Sequence, residues 1–342
     1  MAPLVRGLCA LKLPSHRMLE RILSGDRAVL ARAITLVESS RADHQERARE
    51  LMDACLPYTG RSVRLGITGV PGVGKSTFVE ALGMHIIQER HEKVAVLAID
   101  PSSPVSGGSI LGDKTRMPRL STDENAFIRP SPSRGTAGGV GATTREAILL
   151  CEAAGFQNVF VETVGVGQSE VAVASMVDFF LLLMIAGAGD ELQGIKRGVL
   201  ELADLVAFNK ADGDNRIRAE AARKQLESAM SLFPPQPSGW RPPVVVCSAR
   251  AGDGIAQIWD TVLSHRARMT ASGELDHKRK RQAWDAMYET IRRALVHNFF
   301  SDPEVRGRLP QLEKDVMEGR ISSYGAARSL LQLLNGALTE SS

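Results

Sequence analysis

The chain has 342 residues, 44% of them hydrophobic and 24% charged, which is typical of a globular protein with one large α/β domain and helical additions. The formal net charge of +3 is too small to favour binding to nucleic acid or to a membrane surface. The four cysteines form no C-x-x-C pair and stand in apolar surroundings, so a disulfide framework is not predicted. A reducing compartment is the simpler expectation.

Residues 1–60 are predicted to form an N-terminal helical segment. Asp26 stands where a side chain caps a helix, ahead of apolar residues that recur along one helical face. Asp43 and Glu46 have the spacing of a capping box, which would open a second helix. Pro57 then ends the helical pattern before the next part of the chain.

Residues 61–265 alternate between apolar runs rich in Val, Ile, Leu and Phe and helical patterns. This alternation predicts an α/β domain built on a mostly parallel sheet, buried on both faces and flanked by helices. The longest apolar run, 179–186, is far too short to span a membrane. The predicted strands are 63–68, 94–99, 127–129, 158–162, 179–185, 205–208 and 243–247. Functional residues in such a sheet are expected just beyond the carboxyl ends of the strands.

The first predicted strand leads into the sequence GVPGVGKST, which fits the phosphate-binding pattern G-x-x-x-x-G-K-[ST] of P-loop NTPases. Glycines let the backbone close around phosphate oxygens, and the following helix N-terminus favours their negative charge. Lys75 is predicted to reach the β and γ phosphates, and Ser76 to bind Mg²⁺. The predicted nucleotide-binding residues of this loop are Gly69, Val70, Pro71, Gly72, Val73, Gly74, Lys75, Ser76 and Thr77. The loop by itself does not distinguish ATP from GTP.

Two acidic residues follow strands near this loop. Asp100 ends the second predicted strand, within reach of a magnesium ion or its waters. Glu162 ends the strand that is predicted to lie next to the loop, and this is the position of a Walker B acid. Gly165, three residues later, would let a backbone N–H group face the γ-phosphate. Many small GTPases orient the attacking water with a Gln at the position that Val166 occupies here. Slow intrinsic hydrolysis is therefore predicted.

The base is predicted from Asn209-Lys210-Ala-Asp212, which follows the sixth predicted strand. Guanine presents two adjacent N–H donors that one carboxylate, Asp212, can accept together, whereas adenine offers neither donor on that edge. The stem of Lys210 can cover the purine face, and Asn209 can brace the loop. Ser248 and Ala249 follow the last strand, where a backbone amide can contact guanine O6. Guanine is therefore the predicted base.

Residues 266–342 are predicted to be helical again, with apolar residues at spacings of three and four. The basic run 277–281 could bind a partner or nucleic acid, but a solvated helix start is the favoured interpretation. The C-terminal part is therefore interpreted as a set of amphipathic helices that follows the α/β domain.

Taken together, these motifs resemble the MeaB/MMAA family, also named ArgK, the G proteins that chaperone adenosylcobalamin-dependent methylmalonyl-CoA mutase. The resemblance covers nearly the whole chain and is carried by long blocks in register. These blocks are 69–77, 100–103, 107–117, 162–170, 187–196 and 209–212.

The resemblance implies a SIMIBI-class G domain that binds GTP or GDP with Mg²⁺. The residues implied around the metal are Ser76, Asp100, Asp113 and Glu162, and those implied in catalysis are Lys75, Asp100, Asp113 and Glu162. The implied switches are 107–117 and 163–170, with a third switch at 187–197 whose Asp190, Gln193 and Lys196 relay the nucleotide state to the mutase. Val70 replaces the second lysine of broader SIMIBI relatives, which puts trans-activation of the ParA type in doubt.

The function implied is a GTPase that gates the loading, protection and reactivation of an adenosylcobalamin-dependent acyl-CoA mutase. The C-terminal helices are implied to form a homodimer, with neither nucleic acid nor membrane as a partner. The bacterial cytoplasm is expected in preference to a mitochondrial matrix. One alternative is a kinase of a transport-system binding protein, which the guanine motif disfavours. Another is a nickel-delivery GTPase, which the lack of Cys/His metal motifs disfavours.

Overall fold

The fold is built around a parallel sheet, and the phosphate loop and the Asn209–Asp212 motif follow the carboxyl ends of its strands. The computed structural model describes residues 14–39, 41–100, 116–132, 139–163, 169–187, 197–233 and 238–339. The strands in this part of the chain are β1 Val63–Gly69, β2 Val94–Asp100, β3 Ala126–Pro132, β4 Asn158–Thr163, β5 Phe179–Ile185, β6 Leu205–Asn209 and β7 Val244–Val246. They confirm every predicted strand, with ends that differ by three residues or fewer.

The strands pair in the order β3-β2-β4-β1-β5-β6-β7, and each pairing is parallel. Strand β1 therefore lies between β4 and β5, as expected for the strand that leads into the glycine-rich loop. Because all the strands run in the same direction, their carboxyl ends meet at one edge of the sheet. The predicted α/β fold of the P-loop NTPases is confirmed.

Helices connect the strands and extend the chain at both ends. Their bounds are α1 Ser15–Leu23, α2 Arg27–Val37, α3 Ala42–Cys55, α4 Lys75–His85, α5 Pro118–Thr122, α6 Gly139–Ala153, α7 Ser169–Ala174, α8 Arg197–Leu202, α9 Asn215–Met230, α10 Ile255–Ala271, α11 Glu274–Ser301, α12 Pro303–Met317 and α13 Ser323–Thr339. A short 3-10 turn, Leu56–Tyr58, follows α3, and a π-helical turn, Ile86–Arg90, follows α4. No helix among the described residues is both long and apolar enough to cross a membrane.

Both faces of the sheet are covered by apolar cores. On one face α4 and α10 contribute Phe78 and Trp259, which pack with Phe160 of β4. On the other face α1, α2 and α3 pack with α6 and α7 in a second core that includes Leu30 and Val161. The continuous apolar runs of the strands are explained by this burial on two sides.

Of the two helix caps predicted in the N-terminal segment, one is confirmed and the other is wrong. Asp26 Oδ1 accepts hydrogen bonds from the backbone N–H groups of Ala28 and Val29, each at 3.0 Å, and so caps α2 as predicted. The capping box at Asp43 is wrong. Helix α3 already begins at Ala42, so Asp43 lies within its first turn, where its carboxylate pairs with the Arg41 guanidinium at 2.9 Å.

The basic run 277–281 is not simply a solvated helix start, because Arg279 points inward. Its guanidinium donates to both carboxylate oxygens of Asp178, at 2.8 and 2.6 Å, and to the carbonyl oxygens of Gly60 and Ser62. Burial would raise the pKa of Asp178, but the bonds and charge of Arg279 outweigh it and hold that pKa below its ordinary value. The pair fastens the start of α11 to the amino-terminal edge of the sheet, at the starts of β1 and β5.

The chain divides into two compact units, Met1–Gln282 and Ala283–Ser342. In the second unit α12 and α13 contact each other, which agrees with the helices predicted for this part of the chain. The predicted three-part division into 1–60, 61–265 and 266–342 stays a prediction.

Gly66 of β1 lets helix α7 approach the sheet closely. A Cβ atom at Gly66 would lie 2.8 Å from Val173 Cγ1, 2.9 Å from Phe180 Cδ2 and 3.0 Å from Val177 Cγ2. Real Cβ atoms do not come this close to other carbon atoms in a packed core, so any side chain here would push α7 away from β1.

We expect Gly66→Ala to lower the free energy of unfolding by about 1–3 kcal/mol, because the added methyl group overpacks this contact. Gly198→Ala on α8 is the matched control, since a Cβ there meets no atom within 4 Å. Urea denaturation followed by circular dichroism measures both changes. Equal unfolding midpoints for Gly66→Ala and the unmodified protein would contradict the tight packing.

Candidate functional site

The loop after β1 has the backbone shape that phosphate binding requires. A Cβ at Gly69 would lie 2.4 Å from the carbonyl oxygen of Leu183, so only glycine fits where the loop passes β5. Gly74 has φ 90°, and a Cβ there would lie 3.1 Å from Asn209 Nδ2. Helix α4 begins directly afterwards at Lys75, so its N-terminus and the positive end of its dipole lie at the loop.

Lys75 lies over this loop in a buried position. Its Nζ donates to the carbonyl oxygens of Gly69 at 2.7 Å and of Val70 at 3.1 Å. Burial lowers the pKa of Lys75, while the negative charges of Glu162 and Glu170 act in the opposite direction. The side chain is therefore a desolvated cation with two carboxylates nearby, which suits it to bind phosphate oxygens.

Ser76 and Glu162 meet beside the loop, as the sequence predicts. The Ser76 hydroxyl donates to Glu162 Oε1 at 3.0 Å, and Glu162 is buried at the end of β4. Next to them, the hydroxyls of Thr68 and Thr163 are 2.8 Å apart and join the ends of β1 and β4. Hydroxyl and carboxylate oxygens are ligands that Mg²⁺ prefers, so these two side chains fit a magnesium ion beside bound phosphates.

Asp100 ends β2 at the same edge of the sheet. The register of β2 on β4 pairs Ala98 with Glu162, so the backbone of Asp100 lies just beyond the level of that acid. Asp113 lies outside the described residues. Also outside them are Val166, Asp190, Gln193 and Lys196. The roles of these residues in metal binding, catalysis and switching stay predictions.

Asn209 joins the phosphate loop to the segment after β7. Its Nδ2 donates to the carbonyl oxygen of Val73 at 2.9 Å, which is the bracing expected of this residue. Its Oδ1 accepts from the backbone N–H of Ala249 at 3.0 Å and from Cys247 Sγ at 3.7 Å. Lys210 follows with φ 59°, a left-handed conformation that is uncommon for a residue with a side chain. A single carboxamide thus links three segments of the pocket.

Asp212 is exposed at the rim of the same pocket and is held by Ser248. The Ser248 hydroxyl donates to Asp212 Oδ1 at 2.8 Å, and Ser248 itself is fully buried. This bond fixes the carboxylate on the loop between β6 and α9. A fixed, exposed carboxylate of this kind can accept the two N–H donors of guanine.

A backbone amide of Ser248 or Ala249 is predicted to contact guanine O6, but both amides already have acceptors within the protein. Ser248 N–H donates to the carbonyl oxygen of Asp253 at 3.0 Å, and Ala249 N–H donates to Asn209 Oδ1 at 3.0 Å. The contact to O6 stays a prediction. Asp253 is not predicted from the sequence, because it acts through its main chain. Cys247 is not predicted either, although its place directly before Ser248 is a usable signal.

A sequence model of the family described as "Methylmalonyl Co-A mutase-associated GTPase MeaB" matches residues 30–304 of this chain. The chain belongs to the MeaB family. A relative in Mycobacterium tuberculosis, named as a probable GTPase, is 54% identical over 92% of this chain and 93% of its own length. The GTPase ArgK of Escherichia coli is 50% identical, over 92% of this chain and 95% of its own.

Two further comparisons extend the family relationship. The mouse protein "Methylmalonic aciduria type A homolog, mitochondrial" is 46% identical over 92% of this chain and 78% of its own length. A crystal structure described as a LAO/AO transport system kinase has a TM-score of 0.75 and 40% identity, and the match covers 95% of this chain and 98% of that one. The resemblance seen in the sequence is confirmed, and the chain is a GTPase of the MeaB family.

We expect Asp212→Asn to weaken GTP binding by about 10- to 100-fold and to improve binding of xanthosine triphosphate, because one bidentate base contact is worth about 1–3 kcal/mol. The amide of Asn offers a donor to the carbonyl oxygen that xanthine carries in place of the guanine amino group. Isothermal titration with both nucleotides measures the change.

Asp214→Asn is the matched control for this substitution. Asp214 is an exposed acid two residues further on, and its side chain makes no capping bond to α9. Its substitution should leave both affinities unchanged. An Asp212→Asn variant that still prefers GTP as strongly as the original would contradict the assignment of the base.

Proposed function

We propose that this GTPase uses GTP binding and hydrolysis to gate the loading, protection and reactivation of adenosylcobalamin in an acyl-CoA mutase of the methylmalonyl-CoA mutase type. The observation that carries this proposal is the match of residues 30–304 to a family described as associated with methylmalonyl-CoA mutase. We further propose that the protein works in the bacterial cytoplasm, with GTP or GDP and Mg²⁺ in its site.

The nucleotide is bound by residues on two sides of the pocket. Lys75 exchanges its bonds to the loop carbonyls for bonds to phosphate oxygens, which its desolvated charge favours. Asp212, fixed by Ser248, selects guanine at the other side. Ser76 and Glu162, with Asp100 and Asp113 from the neighbouring segments, would hold Mg²⁺. The metal would neutralise charge that develops on the β and γ phosphates.

The link from nucleotide to partner runs through segments that follow β4 and β5. Helix α7 begins at Ser169, within the predicted switch 163–170, and helix α8 begins at Arg197, the last residue of the predicted switch 187–197. These two helices contact each other, so a displacement of one helix changes the packing of the other. This contact supports the proposal that the γ-phosphate orders both segments and that hydrolysis releases them. Asp190, Gln193 and Lys196 then present the nucleotide state to the mutase.

The second candidate is a kinase that phosphorylates a binding protein of a transport system, and it is favoured by the description of the 40% identical crystal structure. The pairing of Asp212 with Ser248 counts against it, because a fixed carboxylate selects guanine over the adenine that most kinases use. Transfer of labelled γ-phosphate from ATP to a protein acceptor, without release of free phosphate, would favour the kinase.

We propose a homodimer formed through α11. Within the second unit, the exposed apolar residues Trp284, Met287, Ile291 and Leu295 recur at spacings of three and four along this helix. Such a continuous apolar stripe on a monomer favours association with a partner surface.

We expect Ile291→Asp to convert the dimer into a monomer, because it buries a charge in the middle of the apolar stripe. Light scattering coupled to gel filtration measures the mass. Arg292→Asp, next to it on a strongly exposed position, controls for the added charge. A protein that is already monomeric, or a variant that stays dimeric, would contradict a dimer formed through this face.

We expect Lys196→Ala to leave the affinity for GTP within about threefold of the original, since no phosphate contact is assigned to it, but to remove most of the stimulation of hydrolysis by the mutase. GTP hydrolysis is measured with and without methylmalonyl-CoA mutase and isobutyryl-CoA mutase. Lys224→Ala on the exposed side of α9 is the control. Equal stimulation in both variants would remove the relay role of Lys196.

A further inference from the structure

Glu170 is a buried carboxylate that the site described so far does not use. It lies in the first turn of α7 and is 7% exposed. Its Oε2 is buried and has no hydrogen-bond partner among the described residues. Since a buried carboxylate oxygen is costly without a donor, Oε2 is suited to receive a hydrogen bond from a molecule that enters the site.

The packing of α7 against β1 places Glu170 toward the carboxyl ends of the strands. Val173, one turn after Glu170 on the same face of the helix, packs against Gly66 of β1. Helix α7 follows β4 and returns across the sheet, so its first turn lies nearer than Val173 to the carboxyl ends of the strands. Glu170 therefore lies above the level of Gly66, toward the point where β1 becomes the phosphate loop.

The negative charge of Glu170 acts on the pKa of Lys75, which agrees with a position of Glu170 near the phosphate loop. Among the described residues, the negative charges of Glu162 and Glu170 both oppose the lowering of the Lys75 pKa by burial. Glu162 accepts the Ser76 hydroxyl through Oε1 and belongs to the predicted magnesium neighbourhood. Glu170 thus offers a second buried acceptor near Lys75. Unlike Glu162, it does not accept a hydrogen bond from Ser76.

Hydrolysis needs such an acceptor. The water oxygen forms a bond to the γ-phosphorus, the bond from that phosphorus to the β–γ bridging oxygen breaks, and its electron pair leaves on GDP. The proton of the water ends on the released phosphate. The water must be oriented for in-line attack by an acceptor for one of its hydrogens, and the Val side chain at position 166 offers none.

We propose that Glu170 is a catalytic residue of this GTPase, which orients the attacking water through a hydrogen bond to Oε2. This role rests on GTP hydrolysis alone and not on the proposed mutase partner. Its test is therefore made without the mutase, and its failure leaves the proposed function untouched.

The experiment compares Glu170→Met with Glu170→Gln in single-turnover GTP hydrolysis at saturating protein and Mg²⁺. Both replacements keep nearly the original volume, but Gln retains a carbonyl oxygen that accepts a hydrogen bond, whereas Met does not. We expect Glu170→Met to slow hydrolysis about 100-fold, the loss typical of a group that handles the reacting water. Glu170→Gln should stay within about fivefold of the original, since Gln performs this task in small GTPases.

Affinity separates this role from a structural one. The dissociation constants for GDP and a non-hydrolysable GTP analogue should stay within about threefold in both variants, because the water contact matters only in the transition state. Glu89→Ala, at an exposed acid in the π-helical turn after α4, is the matched control and should leave rate and affinity unchanged. If Glu170→Met does not fold, Glu170→Ala replaces it in the comparison.

Three results would overturn the proposal. The first is a rate for Glu170→Met equal to that of the original protein. The second is an equal loss in Glu170→Gln and Glu170→Met, which would mean that the negative charge acts through Lys75 and that the acceptor is not needed. The third is a loss of affinity as large as the loss of rate, which would mean that Glu170 only shapes the pocket.

Discussion

The arrangement of the candidate nucleotide site depends on hydrogen bonds that the carboxamide of Asn209 makes to two loops at the carboxyl ends of the strands. One bond holds the carbonyl of Val73 in the phosphate loop, and the other holds the amide of Ala249 after β7. Because Asn209 is buried at the end of β6, losing either bond would leave a polar group without a partner inside the protein.

The charges around Lys75 follow from the same geometry. A buried ammonium is stable here because two carbonyls accept its hydrogens and two carboxylates supply opposite charge. In the proposed function, the phosphates of a nucleotide would replace these carbonyls as acceptors. The site is therefore preorganised for anions, while its two acids are suited to tasks that phosphate oxygens cannot perform, such as holding a metal or orienting water.

Helix α7 connects this chemistry to the rest of the molecule. It packs closely against β1 because Gly66 has no side chain, and its first turn contains the buried Glu170. Its contact with α8 joins the segments that follow β4 and β5. At the opposite edge of the sheet, the pair of Arg279 and Asp178 fixes the start of α11 with bonds to main-chain carbonyls before β1. The carboxyl ends of the strands thus lead into the phosphate loop, whereas their amino-terminal ends hold the start of the long helix α11.

The amino-acid sequence alone was enough to determine the strands, the class of the fold and the family. Strands buried on both faces need continuous apolar runs, and phosphate and guanine recognition need particular residues at fixed spacings next to strand ends. Both signals are local, so they can be read along the chain. The same holds for the cap at Asp26, which bonds to amides two and three residues away.

Only the tertiary structure decided which polar side chains turn inward. Arg279 belongs to a run of basic residues that the sequence predicts to be exposed to solvent. The carboxylate that it pairs with, Asp178, is 101 residues away in the sequence. Glu170 is an acidic residue, yet it is buried in the folded protein. Such outcomes arise from contacts between segments distant in sequence, whose geometry no local pattern contains.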